Sequence, residues 1–176
     1  MNEITPASLQ TKDWRKQRDW YRGGKHNECE IYQRHLVEHI TSQPCVKTNI
    51  RINLRDKQLY DKKYPMKDVD GFDYTEDFDG NILDKYYINL KMICDAGGSQ
   101  TRTLREVYHF MECQLDHLVI HGSGSKHFVN ILDGDTSHDS MPKFNHLLNR
   151  PEYAEIKKYL FVGDMLSFSR WWEPTR

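Results

Sequence analysis

Acidic residues cluster at Asp70, Asp73, Glu76, Asp77 and Asp79, and a lysine follows in the tripeptide Asn89-Leu90-Lys91. Metal-assisted hydrolysis of a phosphodiester uses this kind of set. Carboxylates hold a divalent cation, which polarises the phosphoryl oxygen and lowers the pKa of bound water. A neighbouring ammonium adds positive charge where negative charge develops. Hard oxygen ligands favour magnesium, with manganese as a substitute. Lys91 is flanked by Leu90, Met92 and Ile93, so it belongs to a strand that packs, and a lysine there needs a reason.

The elements that must position these groups follow from the pattern around them. Residues 71–78 carry Phe72, Tyr74 and Phe78, Asp79-Gly80-Asn81 reads as a turn, and residues 86–94 are rich in strand formers. Together they predict an antiparallel hairpin. Period two puts Asn89 and Lys91 on one face of its second strand. On the first strand, Asp73 and Asp77 share one face while Asp70 and Glu76 share the other, and Asp73 has the better strand context. Gly97-Gly98-Ser99 breaks the second strand. Leu104, Val107, Tyr108, Met111, Leu115, Leu118 and Val119 then trace one apolar face of a long helix, which Gly122-Ser123-Gly124 ends.

Further on, residues 127–132 read as a buried strand closed by Asp133-Gly134-Asp135. A helical region over 141–159, broken near Pro151, precedes a last strand over 160–165. Upstream, Thr11 is placed to cap a helix as far as Arg22, and Asn27 with Glu30 to cap another as far as Ile40. One strand is expected within 46–54. The order predicts an α/β fold, a central mixed β-sheet with helices on both faces, in a single domain over residues 1–176.

The layout over residues 65–135 resembles the PD-(D/E)xK nuclease superfamily, whose best-known members are type II restriction endonucleases. In that family an Asp on the first strand and a (D/E)xK tripeptide on the second form the site. The resemblance implies a restriction endonuclease-like core and a magnesium-dependent deoxyribonuclease acting on double-stranded DNA. It also implies a homodimer that cuts both strands of a short specific site. Catalysis falls to Lys91, Asp73, Glu106 and Asn89, and metal binding to Asp73, Asp70, Asp77 and Glu106.

Asn89 departs from the family pattern, because it stands where an acid is usual. In some restriction enzymes the second acid moves to the following helix, where Glu106 stands here. Asn89 could instead bind a metal weakly through its amide oxygen, or the chain could be an inactive DNA-binding relative. Relocation to Glu106 ranks first. Ser99, Gln100, Arg102 and Arg105 open the same helix and are the expected DNA contacts, since a helix N-terminus attracts phosphate and Gln and Arg suit base edges. The bland alternative is an ordinary helix start with Thr103 and Glu106 as a capping box. A structure-specific junction or repair nuclease is the rival activity.

Composition sets the remaining bounds. The chain has 176 residues, 38% hydrophobic and 29% charged, with a net charge of -1. These values suit one globular domain and neither require nor exclude nucleic acid. The distribution of charge is more telling. Lys12, Arg15, Lys16, Arg18, Arg22 and Lys25 crowd the first quarter, and bases recur at Arg51, Arg55, Lys57, Lys62 and Lys63. A basic arm beside an acidic metal site is one reading, and solvated faces are the other. The four cysteines are widely spaced, with no CxxC pair. With no long apolar run and no leader, this points to a cytoplasmic protein without a membrane partner. His109, Cys113, His117 and His121 recur every fourth residue, but such steps drift around a helix and read as a polar seam. Trp171-Trp172 reads as a packing pair.

Overall fold

The computed structural model describes residues 3–61, 75–95 and 97–175. In chain order the helices and strands are α1 (Lys12–Lys16), α2 (Glu28–Thr41), β1 (Ile50–Asn53), β2 (Leu59–Asp61), β3 (Thr75–Asp77), β4 (Gly80–Ile82) and β5 (Tyr86–Met92). Then come α3 (Gly98–His121), β6 (His127–Asp133), α4 (Asp135–Leu148), β7 (Leu160–Gly163) and α5 (Met165–Thr175). The expected α/β class is present.

The described strands form two open sheets rather than one. The larger has the order β4-β5-β6-β7, and the smaller the order β2-β1-β3. In the larger sheet β4 runs antiparallel to β5, while β5, β6 and β7 are mutually parallel, with α3 and α4 as the crossovers. Alternation along β5 feeds two cores. Tyr86, Ile88 and Leu90 pack with Val129, Ile131, Val37 of α2 and Phe168 and Trp172 of α5. Tyr87 lies with Phe128, Leu132 and the face of α3 formed by Val107, Phe110, Met111, Leu115 and Leu118. Helices therefore cover both faces of this sheet, as expected. Trp172 is buried against Tyr86, with ring centroids 5.0 Å apart, so the terminal pair does serve packing.

The hairpin differs from the sequence-based expectation. Asp79-Gly80-Asn81 is not its turn. The chain reverses at Leu83 and Asp84, both at positive φ (58° and 50°), and Lys85 N–H donates to Ile82 O at 3.0 Å. These are the dihedrals of a tight hairpin turn. Leu83 is an unusual residue for that conformation, which is why the turn is hard to read. Gly80 lies inside β4 for a different reason. A Cβ there would sit 2.7 Å from Cys45 Sγ and 3.0 Å from Arg34 Nη1.

Residues 75–82 thus form one bent strand that changes sheets. Up to Phe78 it pairs with β1, and Phe78 N–H donates to Ile50 O at 3.3 Å. From Asp79 it pairs with β5, and Asp79 N–H donates to Ile88 O at 2.8 Å.

Helix boundaries also shift. Thr11 caps α1 through Trp14 N–H at 3.1 Å, but the helix stops at Lys16. Asn27 precedes α2 at φ 57° with no side-chain cap. Glu28 takes over, its carboxylate receiving the N–H groups of Arg22, Gly24 and His26. Burial opposes ionisation of Glu28, yet these backbone donors bring its pKa down to about 2. α4 begins at Asp135, earlier than expected, because Gly134 (φ 95°) turns the chain directly from β6. A Cβ on Gly134 would lie 2.1 Å from Ile93 O. α3 matches the expectation closely and ends at Gly122.

Candidate active site

Lys91 lies near the carboxyl end of β5, half-exposed, with Nζ 3.7 Å from Asp79 Oδ2. The same oxygen of Asp79 accepts the Leu90 N–H at 2.7 Å. This geometry follows from the bent strand. Past Ile88 the β4 side no longer offers β5 a backbone partner, and a strand N–H in that position needs an acceptor. The Asp79 carboxylate supplies it, which fixes the acid beside Lys91. Arg34 of α2 donates to the Asp79 carbonyl and pairs with Glu30 at 3.0 Å, holding the acid's backbone from behind.

Glu76 and Glu106 share the field of this pair. Burial is the largest cause of a raised carboxyl pKa at Glu76. Lys91 counters it, while Glu106, Asp77 and Asp79 push the same way as burial. The bend therefore brings Glu76 and Asp79 to the Lys91 side of the sheet, and Glu106, exposed on α3, acts on Glu76 through its charge. Among the described residues no three His, Cys, Asp or Glu side chains converge on a common point for an ion. In kind, the oxygen-only set fits a hard divalent cation, and positive charge would relieve the repulsion that raises Glu76.

The remaining expected residues fall in different places. Asp70 and Asp73 lie outside the described residues. Asp77 projects from the opposite face of β3 to Glu76, with Oδ1 3.9 Å from Arg51 Nε. Asn89 is buried, and its Nδ2 donates to Asn130 Oδ1 at 3.1 Å. Gln114 of α3 exchanges hydrogen bonds with the same Asn130 amide at 3.2 and 2.8 Å. Asn89 lines neither of the clefts that Lys91 lines.

Ser99 and Gln100 fall in the first turn of α3, and Gln100 borders one of those clefts. Arg102 and Arg105 are exposed on the next turns. Arg105 borders a separate cavity of about 430 Å³ between α3 and α4, with Tyr108 and Lys143. Thr103 lies inside the helix, so it is not part of a cap.

Other groups hold the site from within. Gln33 of α2 is fully buried, and its Nε2 donates to Lys91 O at 2.8 Å and to Asp133 Oδ2 at 2.9 Å. Both partners are acceptors, so the amide orientation is settled by chemistry. Asp133 is wholly buried at the end of β6. Burial pushes its pKa up to about 7, against donors from Met165 N–H and Gln33. The Asp133-Gly134-Asp135 segment is thus a structural junction, as its turn-like sequence suggested.

The histidine seam also has a structural task. His117 Nδ1 lies 2.7 Å from Lys57 O, and Lys57 Nζ donates to Cys113 Sγ at 3.4 Å. The seam fastens the segment after β1 to α3.

Sequence reasoning counted Asp79 among the clustered acids but assigned it to a turn rather than to the site, because Asp-Gly is a strong turn signal. It also missed Gln33, which reaches the site from a distant part of the chain, and it placed Arg15 in a basic arm without singling it out. Comparison of the chain with family models, curated proteins and solved structures gives no match. Among the described residues no helix is long and apolar enough to cross a membrane.

Proposed function

We propose that this chain is a metal-dependent DNA endonuclease of restriction type, hydrolysing phosphodiester bonds of duplex DNA at the Lys91 cleft. One observation carries the reading. Asp79 and Lys91 stand 3.7 Å apart with Glu76 and Glu106 in the same field, where parallel strands end beside the start of α3. Open α/β sheets commonly bind ligands at the carboxyl ends of their strands. The likeness to the PD-(D/E)xK layout is retained with one change, in that Asp79 takes the place of the first-strand acid.

Each residue then has a task. Lys91 draws the phosphate oxygens and offsets charge that builds in the transition state. Asp79 holds the ammonium in place through its bond to Leu90 N–H. Glu76, whose proton affinity is raised by burial, suits the acceptance of a proton from the attacking water. Magnesium, or manganese in its place, drawn by the acidic field of Asp79 and Glu106 beside Lys91, would polarise the phosphoryl group and acidify water. Gln100, Arg102 and Arg105 are the candidates for base edges in the groove. Cutting both strands of a short duplex site calls for two copies related by a twofold axis.

A second reading, an inactive DNA-binding relative, is favoured by Asn89, whose amide is committed to Asn130. One experiment separates the two. Long duplex DNA is incubated with magnesium and the wild type, Lys91→Ala or Asp79→Asn. Discrete fragments with the wild type, absent with both variants, are expected. Identical cutting by all three overturns the site, and tight binding without any cutting supports the second reading. Cutting confined to branched DNA would point to a junction or repair nuclease.

A further inference from the structure

Arg15 reaches the Lys91 region from α1, and its surroundings leave its charge uncompensated. The guanidinium lies over the Tyr21 ring, 4.9 Å from the centroid. The Cys29 thiol lies within its hydrogen-bonding reach, and the Cys94 thiol lies in its field. Burial raises the pKa of both, to about 11 for Cys94, so both remain neutral. Arg15 has no carboxylate partner among the described residues, and its Nε is buried without an acceptor. The side chain is part-buried, so its charge keeps some contact with water, and an anion in the cleft beside it would add the partner that Nε lacks.

The cleft beside it shows what kind of anion fits. It measures about 160 Å³ and is lined by Arg15, Lys91, residues 92–94, Gln100 and Thr103. This space suits a small tetrahedral group. The start of α3 borders it, and the N-cap Gly97 provides no side-chain cap there. The amino end of a helix favours negative charge. Asp79 lines the opposite cleft, on the other side of Lys91. Lys91 is already paired with Asp79, so the unspent charge on this side belongs to Arg15.

The arm that carries Arg15 is built to stay in place. Trp20 stacks on Tyr32 of α2, with centroids 4.4 Å apart, and Arg18 lies over Trp14 at 4.7 Å. Glu28 gathers the backbone of Arg22, Gly24 and His26. Lys16, Arg22 and Lys25 extend the positive surface outward from it.

We propose that Arg15 binds a backbone phosphate next to the one that is cut, seating the DNA strand against the Lys91 cleft. The inference rests on the nuclease reading. Arg15 is a positioning residue in it, since the chemistry lies on the Asp79 side of Lys91.

The test measures duplex DNA binding without divalent metal, by fluorescence anisotropy over a series of salt concentrations. It compares the wild type with Arg15→Gln, Arg15→Lys and Lys158→Ala. Lys158 lies before β7, at the other end of the parallel strands. Arg15→Gln should bind about tenfold more weakly, and the slope of log affinity against log salt should fall by about one. Arg15→Lys should keep the wild-type slope, and Lys158→Ala should change neither quantity. In the wild type, inorganic phosphate should slow phenylglyoxal modification of Arg15, a readout that needs no variant to fold. A wild type that binds and cuts, with an unchanged slope for Arg15→Gln or no phosphate protection, overturns the role of Arg15 alone. A wild type that neither binds nor cuts duplex DNA overturns the nuclease reading as well.

Discussion

Asn89 and Lys91 lie on the same face of β5, two residues apart, and their surroundings are opposite in kind. Asn89 belongs to a closed group: its amide meets Asn130, and Asn130 exchanges hydrogen bonds with Gln114, all three fully or almost fully buried. Lys91 belongs to an open group, where acids outnumber the ammonium and Glu76 is raised by burial and by its acidic neighbours. Closed buried networks fix a fold, whereas crowded charges at a cleft mark chemistry. The boundary between structure and proposed function therefore runs across a single strand.

The largest effect is expected at the open group. Asp79→Asn should lower magnesium-dependent cleavage by about 10²–10³-fold, measured by single-turnover kinetics, with duplex binding retained. Cleavage at the wild-type rate would mean that the open group is ornamental. A sharper test moves charge into the closed group. Asn89→Asp restores the family's usual residue type, yet here it would bury a carboxylate among amides. It should destabilise the chain by roughly 3 kcal/mol in urea titration and leave cleavage no faster. Faster cleavage would make Asn89 part of the site and erase the contrast.

Gln114→Leu tests the closed group alone. Leaving the Asn130 amide short of partners should cost about 1–3 kcal/mol of stability, with cleavage unchanged at a temperature where the variant is folded. The smallest effect concerns pH. Burial lowers the His117 pKa from 6.5 to about 4, so the folded chain keeps the ring neutral where the unfolded chain protonates it. Between those values the unfolded state binds more protons, so the contribution present above the unfolded pKa is lost as pH falls through this window. His117→Gln should flatten that part of the urea-midpoint profile.

Lys91, its strand and α3 were legible because their signals are local: an apolar strand flanking a lysine, and a helical stripe sustained over many turns. The α/β order followed from the same periodicities. Asp79 was legible as one of the clustered acids but not as the partner of Lys91, because the dipeptide Asp-Gly has two uses. Its glycine here answers to Cys45 and Arg34, which close packing brings to Gly80. Gln33 was hidden for a related reason. Gln33 reaches Lys91 and Asp133 across separations of 58 and 100 residues, and no spacing rule covers such distances. The second sheet escaped notice because its strands are three or four residues long, too short for alternation to register.

The strand that changes sheets after Phe78 works like the pivot of a pair of calipers. Glu76 rides on the jaw paired with β1, while Asp79 rides on the jaw paired with β5. The gap between the two carboxylates is therefore set by the angle between the sheets.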